Sequence, residues 1–279
     1  LSENGGETDP VSGENRQGGL HSIRGMNREE LGAFVAANLA LLGEDEAIAV
    51  LSNRFCTPSL CVVIAGNSRL ASYYDVKRRL VICRATPQHL ALKFVRHLYW
   101  SDLLRHSVDV QVVPLIRNAI DAQLLNALPK LTLGERISTA KSCSRDVGKA
   151  LAGDADLRVF SALLDNPRLR EDDLVAFLQS DRATAEHVKQ VAAHRKWGFR
   201  YPVRRALASS AVAPRAIAAS QLRYLRREDR DAIYDDAATS VYIRRCIEGL
   251  RGGATREMVS GETDDSASEG IGYNGRPNE

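Results

Sequence analysis

Residues 197–207 read Trp-Gly-Phe-Arg-Tyr-Pro-Val-Arg-Arg-Ala-Leu, and residues 70–80 read Leu-Ala-Ser-Tyr-Tyr-Asp-Val-Lys-Arg-Arg-Leu. The two stretches stand 127 positions apart, and that offset lays residues 184–246 on 57–119 without a gap. Thr57 falls on Thr184, Tyr74 on Tyr201, Val76 on Val203, Arg78 on Arg205 and Leu80 on Leu207. Further on, Pro87 falls on Pro214, Arg96 on Arg223, Leu98 on Leu225, Asp102 on Asp229 and Ile116-Arg117 on Ile243-Arg244. A fixed offset sustained this long marks a repeat architecture, in which each unit buries its apolar face on its neighbours.

Within each copy the apolar residues follow a helical period. Val76, Leu80 and Cys83 share one face, as do Val203, Ala206, Leu207 and Ser210 in the second copy. Leu90, Ala91, Phe94, Val95 and Leu98 form a wide stripe. Helices are expected at 28–42, 44–52, 58–66, 73–84, 87–98, 101–107, 110–128, 132–143 and 145–153. They continue at 156–165, 171–179, 184–194, 200–210, 214–224, 227–236 and 239–250. Thr57-Pro58 and Thr86-Pro87 place a capping hydroxyl before a proline at the first helical position. Sustained two-residue alternation is absent, so the fold class is all-α, with short helices stacked as an α-solenoid over residues 27–251.

The run Ala162-Leu163-Leu164-Asp165-Asn166-Pro167-Arg168-Leu169 resembles bacterial α-helical repeat proteins of the HEAT-like and leucine-rich-repeat-variant kind. So does Trp197-x-x-x-Tyr201-x-Val203-Arg204-x-Ala206-Leu207 with its later Pro214. The resemblance covers roughly residues 30–250. It implies a HEAT/armadillo-like solenoid acting as a binding surface. The first copy departs from the pattern, with Leu70 where the second has Trp197.

The ends differ from the body. Residues 1–26 and 252–279 are rich in Gly, Ser, Asn and Glu and too poor in apolar residues to offset ordering entropy, so both are expected to be disordered. Met26 reads as a possible start. The tails carry −2 and −4, leaving +9 on residues 27–251. No stretch approaches the roughly 18 apolar residues of a membrane span, so no membrane association is expected. The five cysteines are scattered and odd in number, which suits reduced, buried thiols in the cytoplasm.

No Gly-x-Ser-x-Gly, no Gly-x-x-x-x-Gly-Lys and no Cys-x-x-Cys occurs. Neither catalytic nor cofactor residues are therefore assigned, and no metal ligands. Cys56 and Cys61 flank a helix start, and His187 and His194 share a helix face, but further ligands are lacking nearby. The candidate surface is basic: Lys77, Arg195, Lys196, Arg204, Arg226, Arg227 and Arg245. Arg78 and Arg205 are expected instead to pair with Asp102 and Asp229, because arginine and aspartate recur together. Trp197, Phe199 and Tyr201 are assigned to packing between helices, with Tyr73, Tyr99 and Trp100. The leading expectation is a non-enzymatic scaffold for a protein partner. The alternative is backbone-directed nucleic-acid binding through recurring arginines. A third reading, a helical-repeat base-excision glycosylase, would need Asp229 set beside Trp197 in a groove.

Overall fold

Several helices begin in this chain where a side chain or a proline satisfies the first turn, as at Asn27, Thr57-Pro58, Thr132 and Pro114. The computed structural model describes residues 20–261, with side chains as far as 252. The helices are α1 (residues 20–25), α2 (Arg28–Asn38), α3 (Glu44–Ser52), α4 (Pro58–Gly66), α5 (Tyr74–Ile82), α6 (Gln88–Val95), α7 (Trp100–Ser107) and α8 (Pro114–Ala127). There follow α9 (Leu133–Ser142), α10 (Arg145–Leu151), α11 (Leu157–Leu164), α12 (Glu171–Leu178), α13 (Ala185–Ala193), α14 (Tyr201–Ser209), α15 (Arg215–Leu222), α16 (Arg227–Asp235) and α17 (Val241–Gly261). The described residues contain no strand. Asn27 caps α2 by accepting from the Glu29 and Glu30 amides, while Glu30 accepts from the Asn27 amide. Thr132 and Glu135 make the same reciprocal pair at α9.

The chain forms two compact units. The first holds the described residues up to Leu151 together with Asn166–Arg168, and the second holds Ala152–Asp165 and Leu169 onward. Within the first, α5 packs on α3, α4 and α6, and α8 packs on α6 and α7. Within the second, α14 packs on α12, α13 and α15, and α17 packs on α15 and α16. These are the same contacts in the same order. The six helices α3–α8 and the six helices α12–α17 begin 127 residues apart, pair by pair. The repeat therefore starts at Glu44 and Glu171, before the stretch that residue identity alone reveals. Leu70, Val76 and Leu80 are fully buried in one copy, as are Val203 and Leu207 in the other.

Four expectations need correction. Residues 20–25, assigned to a disordered extension, form α1: Ile23 is buried, and Asn53 Nδ2 donates to the carbonyls of Ile23 at 2.8 Å and Met26 at 3.0 Å. The final helix does not stop at 250 but continues to Gly261 through the glycines at 252 and 253. The rest of both expected tails lies outside the described residues. Residues 110–113 are not helical. Pro114 opens α8, and the residue before a proline is driven to extended backbone, as Val113 is. Thr86 does not cap α6; Pro87 holds that position, and Pro214 does the same at α15. Among the described residues no helix is long and apolar enough to cross a membrane.

Candidate nucleic-acid interface

A polar clamp is built identically in both copies. The Tyr74 hydroxyl donates to Asp102 Oδ2 at 2.6 Å and accepts from the Tyr99 amide at 3.0 Å. Arg78, one turn along α5, reaches Asp102 Oδ1 at 3.5 Å. In the second copy the Tyr201 hydroxyl donates to Asp229 and accepts from the Arg226 amide at 2.9 Å, and Arg205 Nε lies 3.2 Å from Asp229 Oδ1. The expected pairing of Arg78 and Arg205 with these aspartates is thus present. Burial, and then the bond to Asp102, push the Tyr74 phenol up to about 12, and the Tyr201 phenol moves the same way. Both phenols are neutral donors near neutral pH. They tie the start of one helix to the first turn of the next but one.

Outside that clamp the second copy carries an uncommon charge pattern. Residues 195–227 contain nine bases and no acid: Arg195, Lys196, Arg200, Arg204, Arg205, Arg215, Arg223, Arg226 and Arg227. Three of them are neutralised from outside the stretch. Arg200 pairs with Glu171 at 3.1 Å, Arg205 with Asp229, and Arg227 with Asp231 at 3.8 Å. Among the described residues the other six have no carboxylate within ion-pair distance.

Five of those six lie over aromatic rings instead. Arg204 sits 3.9 Å from the centroid of Tyr224 and 5.5 Å from that of Phe199, and Arg223 lies 5.1 Å from Tyr224. Arg226 lies 5.3 Å from Tyr201, Arg215 5.9 Å from Tyr242, and Lys196 4.2 Å from Trp197. Phe199 is 73% exposed and Tyr224 48%. The surface therefore interleaves exposed rings with basic side chains that no described carboxylate neutralises, Arg204 lying over the Tyr224 ring.

Local backbone geometry aims these rings. Gly198 is buried, and a Cβ there would run into the Ala192 carbonyl. Its amide donates to the His194 carbonyl at 2.9 Å, and its carbonyl accepts from Arg204 Nε at 3.1 Å. This close turn sends Trp197 inward, 2% exposed with Nε1 donating to the Leu164 carbonyl at 2.8 Å, and Phe199 outward.

Of the expected surface residues, Arg204 is brought together with Phe199 and Tyr224, and through Tyr224 with Arg223. Arg195 and Lys196 are exposed in the turn before them. Arg226 and Arg227 open α16, while Arg245 is exposed on α17. Lys77 belongs to the other unit, where its Nζ donates to the Ser72 carbonyl at 3.1 Å. Trp197 packs as expected, but Phe199 does not, and Tyr99 is 64% exposed although stacked on Tyr74 at 4.3 Å. Sequence reasoning did not single out Tyr224, and it weighed base stacking for Phe199 but assigned that ring to packing. The absence of acids across 195–227 was the available signal.

The histidines play separate structural parts. His187 is buried between the edges of Phe160 and Phe177, and its Nδ1 faces the Thr184 hydroxyl at 2.8 Å. His194 ends α13 and contacts Asp165 at 3.3 Å. The group of side chains suited to a metal ion among the described residues is Cys56, Cys61 and Cys83, in the first unit. No family model matches the chain, and no curated protein or solved structure matches it either.

Proposed function

We propose that this is a helical-repeat binding protein of the HEAT-like solenoid kind, whose second unit holds single-stranded nucleic acid by its backbone and base faces. The observation that supports this reading is the acid-free stretch 195–227 with exposed Phe199 and Tyr224 set against Arg204 and Arg223. Arginines without carboxylate partners match phosphate geometry through paired donors. Open aromatic faces stack bases without selecting among them. Binding of this kind is sequence-tolerant and falls steeply with salt.

The test is binding of the full chain to labelled single-stranded DNA and RNA across a salt series. Tight binding at low salt is expected, with a log–log slope that drops by about 0.7 for each phosphate contact removed. Tyr224→Ala and Phe199→Ala should each weaken binding by about 1–3 kcal/mol. Absence of binding at low salt would overturn the reading.

A second reading, a scaffold for a protein partner, draws on Val241, 65% exposed, and Tyr242, 43% exposed, at the start of α17. Aromatic and arginine side chains also dominate the energetics of protein interfaces. Under that reading the same variants lose a protein partner whose binding is less sensitive to salt.

A further inference from the structure

Three cysteines that are scattered in sequence meet in the first unit. Cys56 lies in the turn between α3 and α4, its amide bonded to the Asn53 carbonyl at 3.0 Å. Cys61 is in the first turn of α4 and has no exposed surface. Cys83 ends α5, its amide bonded to the Arg79 carbonyl at 2.9 Å. The sulfurs of Cys56 and Cys61 are 3.6 Å apart, those of Cys61 and Cys83 4.0 Å, and all three lie within 4.8 Å of one another. A tetrahedral zinc ion with Zn–S near 2.3 Å sets its sulfurs about 3.8 Å apart. A disulfide needs about 2.05 Å. The observed spacing is too long for a disulfide and close enough for three thiolates to meet on one ion.

The surroundings suit the same chemistry. The Thr86 hydroxyl is buried with no hydrogen-bond partner, and the Thr86 amide donates to the Cys83 carbonyl at 3.1 Å, which sets that hydroxyl beside the cluster. A hydroxyl donor behind the ligands is a common outer-shell arrangement. Cys56 and Cys83 also line an open pocket of about 620 Å³ whose charged lining is three bases, Arg54, Arg79 and Arg84, and one acid, Asp109. Arg79 Nε is buried there without a partner. Three thiolates around a divalent cation carry a net charge of −1, which these guanidinium groups offset.

We propose that Cys56, Cys61 and Cys83 form a three-thiolate site for a zinc-class metal ion, with its fourth position open to the basic pocket. On binding, three S–H bonds are exchanged for three metal–sulfur bonds and the protons pass to solvent, with no change of oxidation state. The open fourth position takes water or a small anionic ligand, as three-ligand zinc sites do.

Cobalt(II) titration of the reduced, chelator-stripped full chain tests this. The expected result is one ion per chain, a near-ultraviolet sulfur-to-cobalt charge-transfer band, and loss of the band on adding zinc. Cys83→Ser and Cys61→Ser should weaken binding more than about 100-fold, beyond the range of outer-shell changes. The double variant Cys143→Ser/Cys246→Ser should bind as the unaltered chain does. Cys83, like Cys56, is partly exposed, so its variant keeps the test sound if the Cys61 variant fails to fold; helicity by circular dichroism checks each. A chain without the charge-transfer band, or a Cys83 variant that is folded and binds cobalt equally well, overturns the proposal. A band lost in the Cys143/Cys246 double variant overturns it too.

Discussion

The two copies share a skeleton and differ in what they display. Each has the Tyr–Asp–Arg clamp, and their six helices begin at matched positions. Yet Ser72 in the first copy stands where Phe199 is in the second, His97 where Tyr224 is, Tyr99 where Arg226 is, and Gln88 where Arg215 is. In the first copy Tyr99 stacks on Tyr74; at the matched position Arg226 lies over Tyr201. Positions inside the clamp match because a half-buried carboxylate needs its donors. Positions outside it are free to specialise, and the second copy has gathered rings and cations there. The first copy instead gathers thiols: Cys56 and Cys61 match Ala183 and Val188, and Cys83 matches Ser210.

The largest expected effect comes from the position where the cores themselves differ. Trp197→Ala should cost about 3–5 kcal/mol and Leu70→Ala about 2–5 kcal/mol, read from urea unfolding followed by circular dichroism. Both side chains are at most 2% exposed. If Trp197→Ala proved nearly neutral, the inward setting of that ring by Gly198 would be wrong. Tyr74→Phe and Tyr201→Phe come next, at about 0.5–1.5 kcal/mol each, because each removes a hydroxyl that bridges a half-buried carboxylate and an exposed backbone amide. Similar losses would confirm that the clamp does the same task twice. A loss in only one copy would break the equivalence.

Acid should act on each unit through its buried histidine. Burial lowers both His106 and His187 below the usual value near 6.5. In the unfolded chain these rings bind protons that the folded chain refuses, so stability falls as pH drops through the unfolded value. Asp102 and Asp109 partly oppose the shift at His106, whereas His187 has no such neighbour. His187→Gln should therefore flatten the decline in melting temperature between pH 7 and pH 5 more than His106→Gln does. The smallest stability effect is expected from exchanging the exteriors. Tyr99→Arg with Arg226→Tyr should change stability by about 1 kcal/mol or less, since both residues are exposed. The exchange should weaken nucleic-acid binding all the same, and unchanged binding would remove Arg226 from the interface.

Much of the helical framework was legible in the chain because helix starts are local events. Thr57, Asn27 and Thr132 cap the helices that follow them. What escaped depended on distance or on competing signals. Val110 and Val112 continue the apolar rhythm of α8, but Pro114 fixes its start. The glycines at 252 and 253 suggest an end that the helical backbone passes through. Helix α1 is anchored by Asn53, 30 residues beyond Ile23, and nothing local to residues 20–25 announces it. Cys83 joins Cys61 across 22 residues only because α5 folds against α4. Phe199 carries the composition of a core residue, and only the impossibility of a side chain at Gly198 turns it outward.

Asn166 has a practical consequence for dissecting the molecule. It is 1% exposed, its Nδ2 donates to the carbonyls of Ala140 at 2.9 Å and Cys143 at 3.3 Å, and its Oδ1 accepts from the Arg168 amide at 2.8 Å. By these bonds Asn166–Arg168 belongs to the first unit, although the chain on either side belongs to the second. No single cut can therefore yield the two halves intact. A fragment ending at Leu151 leaves the last turn of α9 without its amide donor, and a fragment beginning at Leu169 discards α11, whose Leu164 carbonyl receives Trp197. A shuffled or truncated version of this protein has to carry the strand of chain between 152 and 168 with both parts.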